Sequence, residues 1–133
     1  MSPKHRVAAL AASLAVAALG LTGCAGGTRW SDLDREPSAD DAIPGSVTWV
    51  DGADESSVRF VGEYEGTRLW LLRTERGICL VQYPESKEWA SGCTEPAGEF
   101  ATSGPGGSFR VYPDDGIPPD GAVQISENVY ATS

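Results

Sequence analysis

The chain has 133 residues and a formal net charge of −9, with 10 basic against 19 acidic side chains. That length suits one small domain. The acidity argues against nucleic acid or anionic lipid headgroups as partners, and leaves basic partners, divalent cations or plain solubility as its use.

The first segment has the layout of an export signal. Lys4, His5 and Arg6 form a basic start, Val7 to Leu21 form an apolar run, and Leu21-Thr22-Gly23-Cys24 closes it. The run is shorter than the roughly 20 residues of a membrane-spanning helix, and its positive start would stay on the cytoplasmic side. A Leu three residues before a Cys, with Thr and Gly between, resembles the bacterial lipobox. The resemblance implies a lipoprotein signal peptide over residues 1–23, a diacylglycerol on the Cys24 thiol, and an anchor on the extracytoplasmic face of the cell membrane. An ordinary signal peptide with Cys24 incidental and a short uncleaved anchor are the alternatives. Two or three acyl chains, at roughly 0.8 kcal/mol per methylene, would hold the protein firmly. Cleavage before Cys24 takes Lys4, His5 and Arg6 away, leaving 110 residues, no histidine and a net charge of −11.

Residues 24–45 read as a lipidated flexible tether. Ala25-Gly26-Gly27-Thr28 is pliant. Asp32, Asp34, Glu36, Asp40 and Asp41, with Pro37 and Pro44, make an acidic stretch of low hydrophobicity that predicts disorder. Trp30 and Leu33 are its apolar exceptions, incidental or touching the membrane or a partner. Asp32-x-Asp34-x-Glu36 begins like a calcium loop but meets Pro37 at the sixth position and Ile43 at the twelfth.

Residues 46–133 read as a β-rich extracytoplasmic domain. Strands are expected at Ser46–Val50, Val58–Tyr64, Thr67–Arg73, Ile78–Tyr83 and Trp89–Thr94, then at Phe100–Thr102, Phe109–Tyr112, Ala122–Ser126 and Asn128–Thr132. A helical turn is expected at Asp54–Ser57, and a tight turn at Glu65-Gly66. Leu69 to Leu72 and Ile78 to Val81 are apolar at consecutive positions, so both faces of those strands require cover. An even pair of cysteines in an oxidising space reads as a disulfide between Cys79 and Cys93. A metal pair or a free thiol are the alternatives, although no mature histidine or third thiol completes a zinc site. A five-residue loop at Pro84–Glu88 places Tyr83 opposite Trp89 and therefore Cys79 opposite Cys93. A helical turn over Glu85–Ser91 also allows the bridge. The fold class is mainly β: a small antiparallel sheet curled into a sandwich or partial barrel with one disulfide.

The chemistry is mostly exclusion. Without histidine the mature chain builds no Ser-His-Asp or Cys-His site and no His-based metal centre. Its sole lysine, Lys87, sits in an expected exposed turn. Gly104-Pro105-Gly106-Gly107 lacks the Lys and helix of a phosphate loop and reads as a turn. Glu63 and Glu65 are two residues apart beside a turn and read as a solvated pair. Asp114, Asp115 and Asp120 offer oxygen ligands without a calcium-loop rhythm. Trp49, Tyr64 and Tyr112 are candidates for an aromatic binding surface, whereas Trp70 and Trp89 read as core. No catalytic residue, metal or cofactor is assigned.

Ser57-Val58-Arg59-Phe60-Val61-Gly62-Glu63, the Glu65-Gly66 turn with Trp70, Gly77-Ile78-Cys79-Leu80-Val81, the return through Trp89 to Gly92-Cys93, and Ile125-Ser126-Glu127-Asn128-Val129 are similar to segments of small actinobacterial envelope lipoproteins of uncharacterised activity. The resemblance spans most of residues 57–130 and implies an address, not a reaction. The expected role is therefore non-catalytic binding or accessory work in the cell envelope. The expected partners are the membrane, through Cys24, and an envelope protein or polymer. A small inhibitor of an envelope hydrolase and a carboxylate-dependent cell-wall hydrolase are the rival readings.

Overall fold

The computed structural model describes residues 28–47 and 50–133. The signal-like segment, Cys24 and Trp49 lie outside the described residues. Eight strands among those described form two four-stranded antiparallel sheets. In the first, β1 (Arg59–Tyr64), β2 (Thr67–Arg73), β3 (Ile78–Tyr83) and β4 (Ala90–Thr94) follow one another as a meander. In the second, β5 (Phe100–Gly104), β6 (Gly107–Val111), β7 (Val123–Gln124) and β8 (Val129–Thr132) take the order β5-β6-β8-β7. The mainly β architecture expected from the short, turn-separated apolar runs is thus present. The expected strand at Ser46–Val50 is absent from its described part: Val47 is buried at a turn, its amide donating to the Pro44 carbonyl at 3.0 Å.

Local chemistry fixes the hairpins. Glu65 and Gly66 both have positive φ, 48° and 79°, as a two-residue hairpin turn matched to strand twist requires. The β3–β4 register sets Cys79 opposite Cys93, and the two are disulfide-bonded. The expected helical turn is a single 3-10 turn, Glu55–Ser57, started by the Asp54 carboxylate accepting from the Ser56 amide at 3.0 Å.

The continuous apolar runs of β2 and β3 are covered on both faces. Leu71 pairs with Leu80 on the inner face, and Trp70 with Val81 on the outer. The inner set, with Leu69 and Ile78, meets Phe109, Val111, Val129 and Ala131 of the second sheet. The outer set, with Leu72 and Cys79, lies beneath Ile43, Val47, Val50 and Ala53. The sheets approach at both margins. β4 packs beside β5, and Gly62 of β1 sits so close to Ile125 that an added Cβ would be 2.7 Å from it. The result is a sandwich nearly closed into a barrel.

The expected flexible tether is corrected over most of its described length. Trp30 and Leu33, on a one-turn helix α1 (Ser31–Asp34), are 1% and 5% exposed and belong to the inner core. Their neighbours are bonded to distant loops. The Ser31 amide and hydroxyl donate to the Asp114 carboxylate at 2.9 and 2.6 Å. The Asp32 amide donates to the Asn128 side-chain oxygen at 2.9 Å, and the Asn128 amide donates back to the Asp32 carboxylate at 3.0 Å. Arg73 pairs with Asp34 at 3.0 Å. Composition counted these carboxylates as free charge, whereas each accepts a hydrogen bond that locks the segment down. The ordered domain therefore begins before Trp30, not at Ser46.

Candidate functional site

The same segment builds a cleft. After α1 the chain turns at Arg35 and runs past Pro37 to Ile43 along the outer margin of β1. It makes a 3-10 turn at Ala39–Asp41 on the way, closed by a reciprocal cap between Ser38 and Asp41. Between this strap and the 55–59 turn lies an open cleft of about 580 Å³. Its walls are apolar at Pro37, Ala39, Ala42, Ile43 and Val58, and polar at Ser38, Asp41, Glu55, Ser56 and Arg59.

Asp41 and Arg59 are held by their surroundings. Asp41 is 7% exposed. Its carboxylate accepts from Arg35, from the Ser38 amide at 2.7 Å and from the Phe60 amide at 2.8 Å. Burial pushes this carboxyl up, but the Arg35 hydrogen bond and the two amides outweigh it and bring its pKa down to about 2. Arg35 also donates to the Phe60 carbonyl at 2.9 Å, so Arg35 and Asp41 together cap the free edge of β1 at Phe60. An edge capped this way is removed from further strand pairing. Arg59, also 7% exposed, donates Nε–H to the Arg35 carbonyl at 3.0 Å and Nη1–H to the Ser56 and Val58 carbonyls at 2.8 and 2.9 Å. Among the described residues its Nη2 makes no hydrogen bond. The cleft thus has apolar walls, a spoken-for carboxylate at Asp41, an exposed one at Glu55, and the Arg59 guanidinium.

The residues singled out in the sequence do not assemble into one surface. Tyr112 is buried, edge-on to Tyr130 with ring centroids 5.7 Å apart. Tyr64 is half-buried against Phe109 at 6.4 Å. Tyr64 ends β1 beside the β5–β6 turn, whereas Tyr112 follows the far end of β6, so the two stand at opposite ends of the sandwich. Trp70 is buried as expected, and Trp89 packs against the same outer cluster. Arg68 lies over the Phe60 and Trp70 rings, 5.4 and 4.8 Å from their centroids, a cation–π arrangement that shields this face. Glu63 and Glu65 are exposed. Asp114 is engaged with Ser31 and with the Asn128 side-chain amide at 2.9 Å. Burial raises its pKa, and those hydrogen bonds overcome that and lower it. No group of three or more His, Cys, Asp or Glu side chains converges among the described residues.

The strap was legible in part. Ser38-x-x-Asp41 has capping-box spacing, and Trp30 and Leu33 stand three apart, as on one helix face. Both signals were outweighed by the acidic composition around them. No known protein family, curated protein or solved structure matches this chain.

Proposed function

We propose that this protein is a lipid-anchored extracytoplasmic domain that works by binding, with the cleft between the 37–43 strap and the 55–59 turn as its recognition site and an envelope polymer or protein as its partner. The address rests on the Leu21-Thr22-Gly23-Cys24 motif, and the Cys79–Cys93 bridge suits an oxidising compartment. The observation that carries the binding role is the state of Asp41, the carboxylate buried in the cleft. Arg35 and two amides bring its pKa down to about 2, whereas a general acid requires a carboxyl shifted the other way. Outside the cleft, Asp54, helped by Ser56, and Asp114 are lowered as well. Apolar walls around a fixed guanidinium suit holding a ligand more than moving a proton.

The test has two parts. A Cys24→Ser variant should leave the membrane fraction and lose the acyl mass; retention of both abolishes the anchor reading. For the cleft, soluble fragments of the envelope polymer are titrated against the isotopically labelled protein. Amide shifts should cluster at Ala39, Ile43 and Val58 and vanish in Ala42→Trp, which fills the cleft from its exposed rim. Shifts that survive Ala42→Trp would place recognition elsewhere.

A further inference from the structure

We infer that the 115–118 tip of the 113–121 loop is a second membrane contact, seating Ile117 in the bilayer interface beside the anchor; this rests on the proposed lipid at Cys24. Ile117 is 87% exposed, and the only other large hydrophobic exposed among the described residues is Val123 at 47%. The stretch Gly116-Ile117-Pro118-Pro119 carries no charge. Two consecutive prolines stiffen it, so little freedom is lost when it docks. Of the loop's three carboxylates, Asp114 is turned inward onto Ser31 and Asn128.

The loop is tied to the point where the anchor meets the domain. The Asp114 amide donates to the Arg29 carbonyl at 3.0 Å, and both donors of Ser31 reach the Asp114 carboxylate. Asp114 and Ile117 are three positions apart, at most about 10 Å of chain, and Cys24 and Ser31 are seven apart, at most about 25 Å. With Trp30 locked in the core, the leash is a few residues long, and a lipid on Cys24 holds this end of the domain at the membrane. The anchor makes the second contact intramolecular, so one apolar side chain is enough to bias orientation. Asp115 and Asp120 flank the uncharged stretch and oppose anionic headgroups, so the fitting surface is zwitterionic. The turns at 65–66, 84–89 and 105–106 gather at the end away from Asp114, where Gly66 lies beside Glu85 and Gly106 beside Thr67; the loop itself returns toward that end only at Gly121, which lines a hollow with Glu65 and Gly106. That end faces the envelope.

The test uses the lipidated full chain in phosphatidylcholine vesicles, with an environment-sensitive fluorophore on Ile117→Cys or on Glu85→Cys. Cys24 is acylated and Cys79 and Cys93 are bridged, so each variant has one reactive thiol. The probe at 117 should emit further to the blue and be quenched several-fold less by aqueous iodide than the probe at 85. Its shielding should decline as phosphatidylglycerol replaces phosphatidylcholine at low salt. In the unlabelled wild type, hydrogen exchange at Gly116 and Ile117 should slow on vesicles, and Ile117→Asp should remove that protection. Equal quenching at both positions, on vesicles that retain a protein whose mass shows the acyl groups, overturns the inference while leaving the anchor intact. Shielding of position 117 in the lipid-free Cys24→Ser protein overturns it in favour of a second protein copy. A mass without acyl groups overturns the anchor reading itself, and the loop contact with it.

Discussion

Replacing Trp30 with Ala tests whether the acidic N-terminal stretch is part of the fold or a leash. Trp30 is 1% exposed and packs with Leu69, Leu71 and Phe109 in the core between the sheets. A buried Trp removes roughly 150–250 Å² from water, which at about 25 cal/mol per Å² is worth roughly 4–6 kcal/mol. That is an upper figure, because the unfolded chain already buries some of this area. Truncation of core Trp to Ala typically costs about 3–5 kcal/mol, including the cavity left behind. For a domain of about 100 residues each kcal/mol moves the melting temperature by roughly 4–8 °C, so a fall of about 15–30 °C is expected. Urea and thermal unfolding of the soluble Cys24→Ser protein, with and without Trp30→Ala, measure it. Thr28→Ala, exposed two residues earlier, serves as the control and should stay within about 0.5 kcal/mol. A loss under about 1 kcal/mol for Trp30→Ala would show that the strap is loosely held and that the cleft it forms is not a stable site.

Further outcomes follow from the same contacts. Cys79→Ser with Cys93→Ser opens a loop whose ends are 14 residues apart and should cost about 3 kcal/mol, read from urea midpoints; an unchanged midpoint would mean the hairpin alone fixes this register. Asp41 has a folded pKa of about 2 against an ordinary 3.8. Its ion pair therefore stabilises fully above pH 3.8, and that stability, about 2 kcal/mol, is lost as the pH falls through 2. Asp41→Asn should lower stability at pH 6 and flatten the acid limb of the unfolding curve. An acid limb of unaltered slope would contradict the assignment. Gly106→Ala places a Cβ 2.5 Å from Thr67 and 2.8 Å from Gln82 and should cost about 1–3 kcal/mol by overpacking. Thermal melting of Gly106→Ala alone and with Thr67→Ser, which removes the nearest methyl, should show partial recovery in the double variant. Asn128→Ala leaves the buried Tyr112 carbonyl and the Asp32 amide without their partner; a loss of about 2–4 kcal/mol is expected from chemical denaturation.

Much of the β architecture was readable because its signals are local. Thr67–Arg73 and Ile78–Tyr83 coincide with β2 and β3, since consecutive apolar residues flanked by turn chemistry leave few alternatives. Loop length alone put Cys79 opposite Cys93, because antiparallel register is counted outward from the turn. The Gly-Pro-Gly-Gly stretch was correctly a turn, but its composition had a tertiary cause. Gly106 donates to the buried Gln82 side chain at 2.8 Å, and its carbonyl accepts from Thr67 at 3.0 Å, a docking that leaves no room for a Cβ.

What the sequence by itself determined is the strand character of the apolar runs, the register that sets Cys79 opposite Cys93, and the export-like motif ending at Cys24. Each depends on residues near one another along the chain. The tertiary structure alone decided the fate of residues 28–45. Charge density there argued for disorder, because composition weighs a carboxylate as solvated. Asp32, Asp34 and Asp41 instead accept hydrogen bonds from residues up to 96 positions away. A carboxylate that finds amides and a guanidinium in the fold stops being a reason for disorder and becomes a fastening. That exchange brought Trp30 into the core and made the cleft at Arg59.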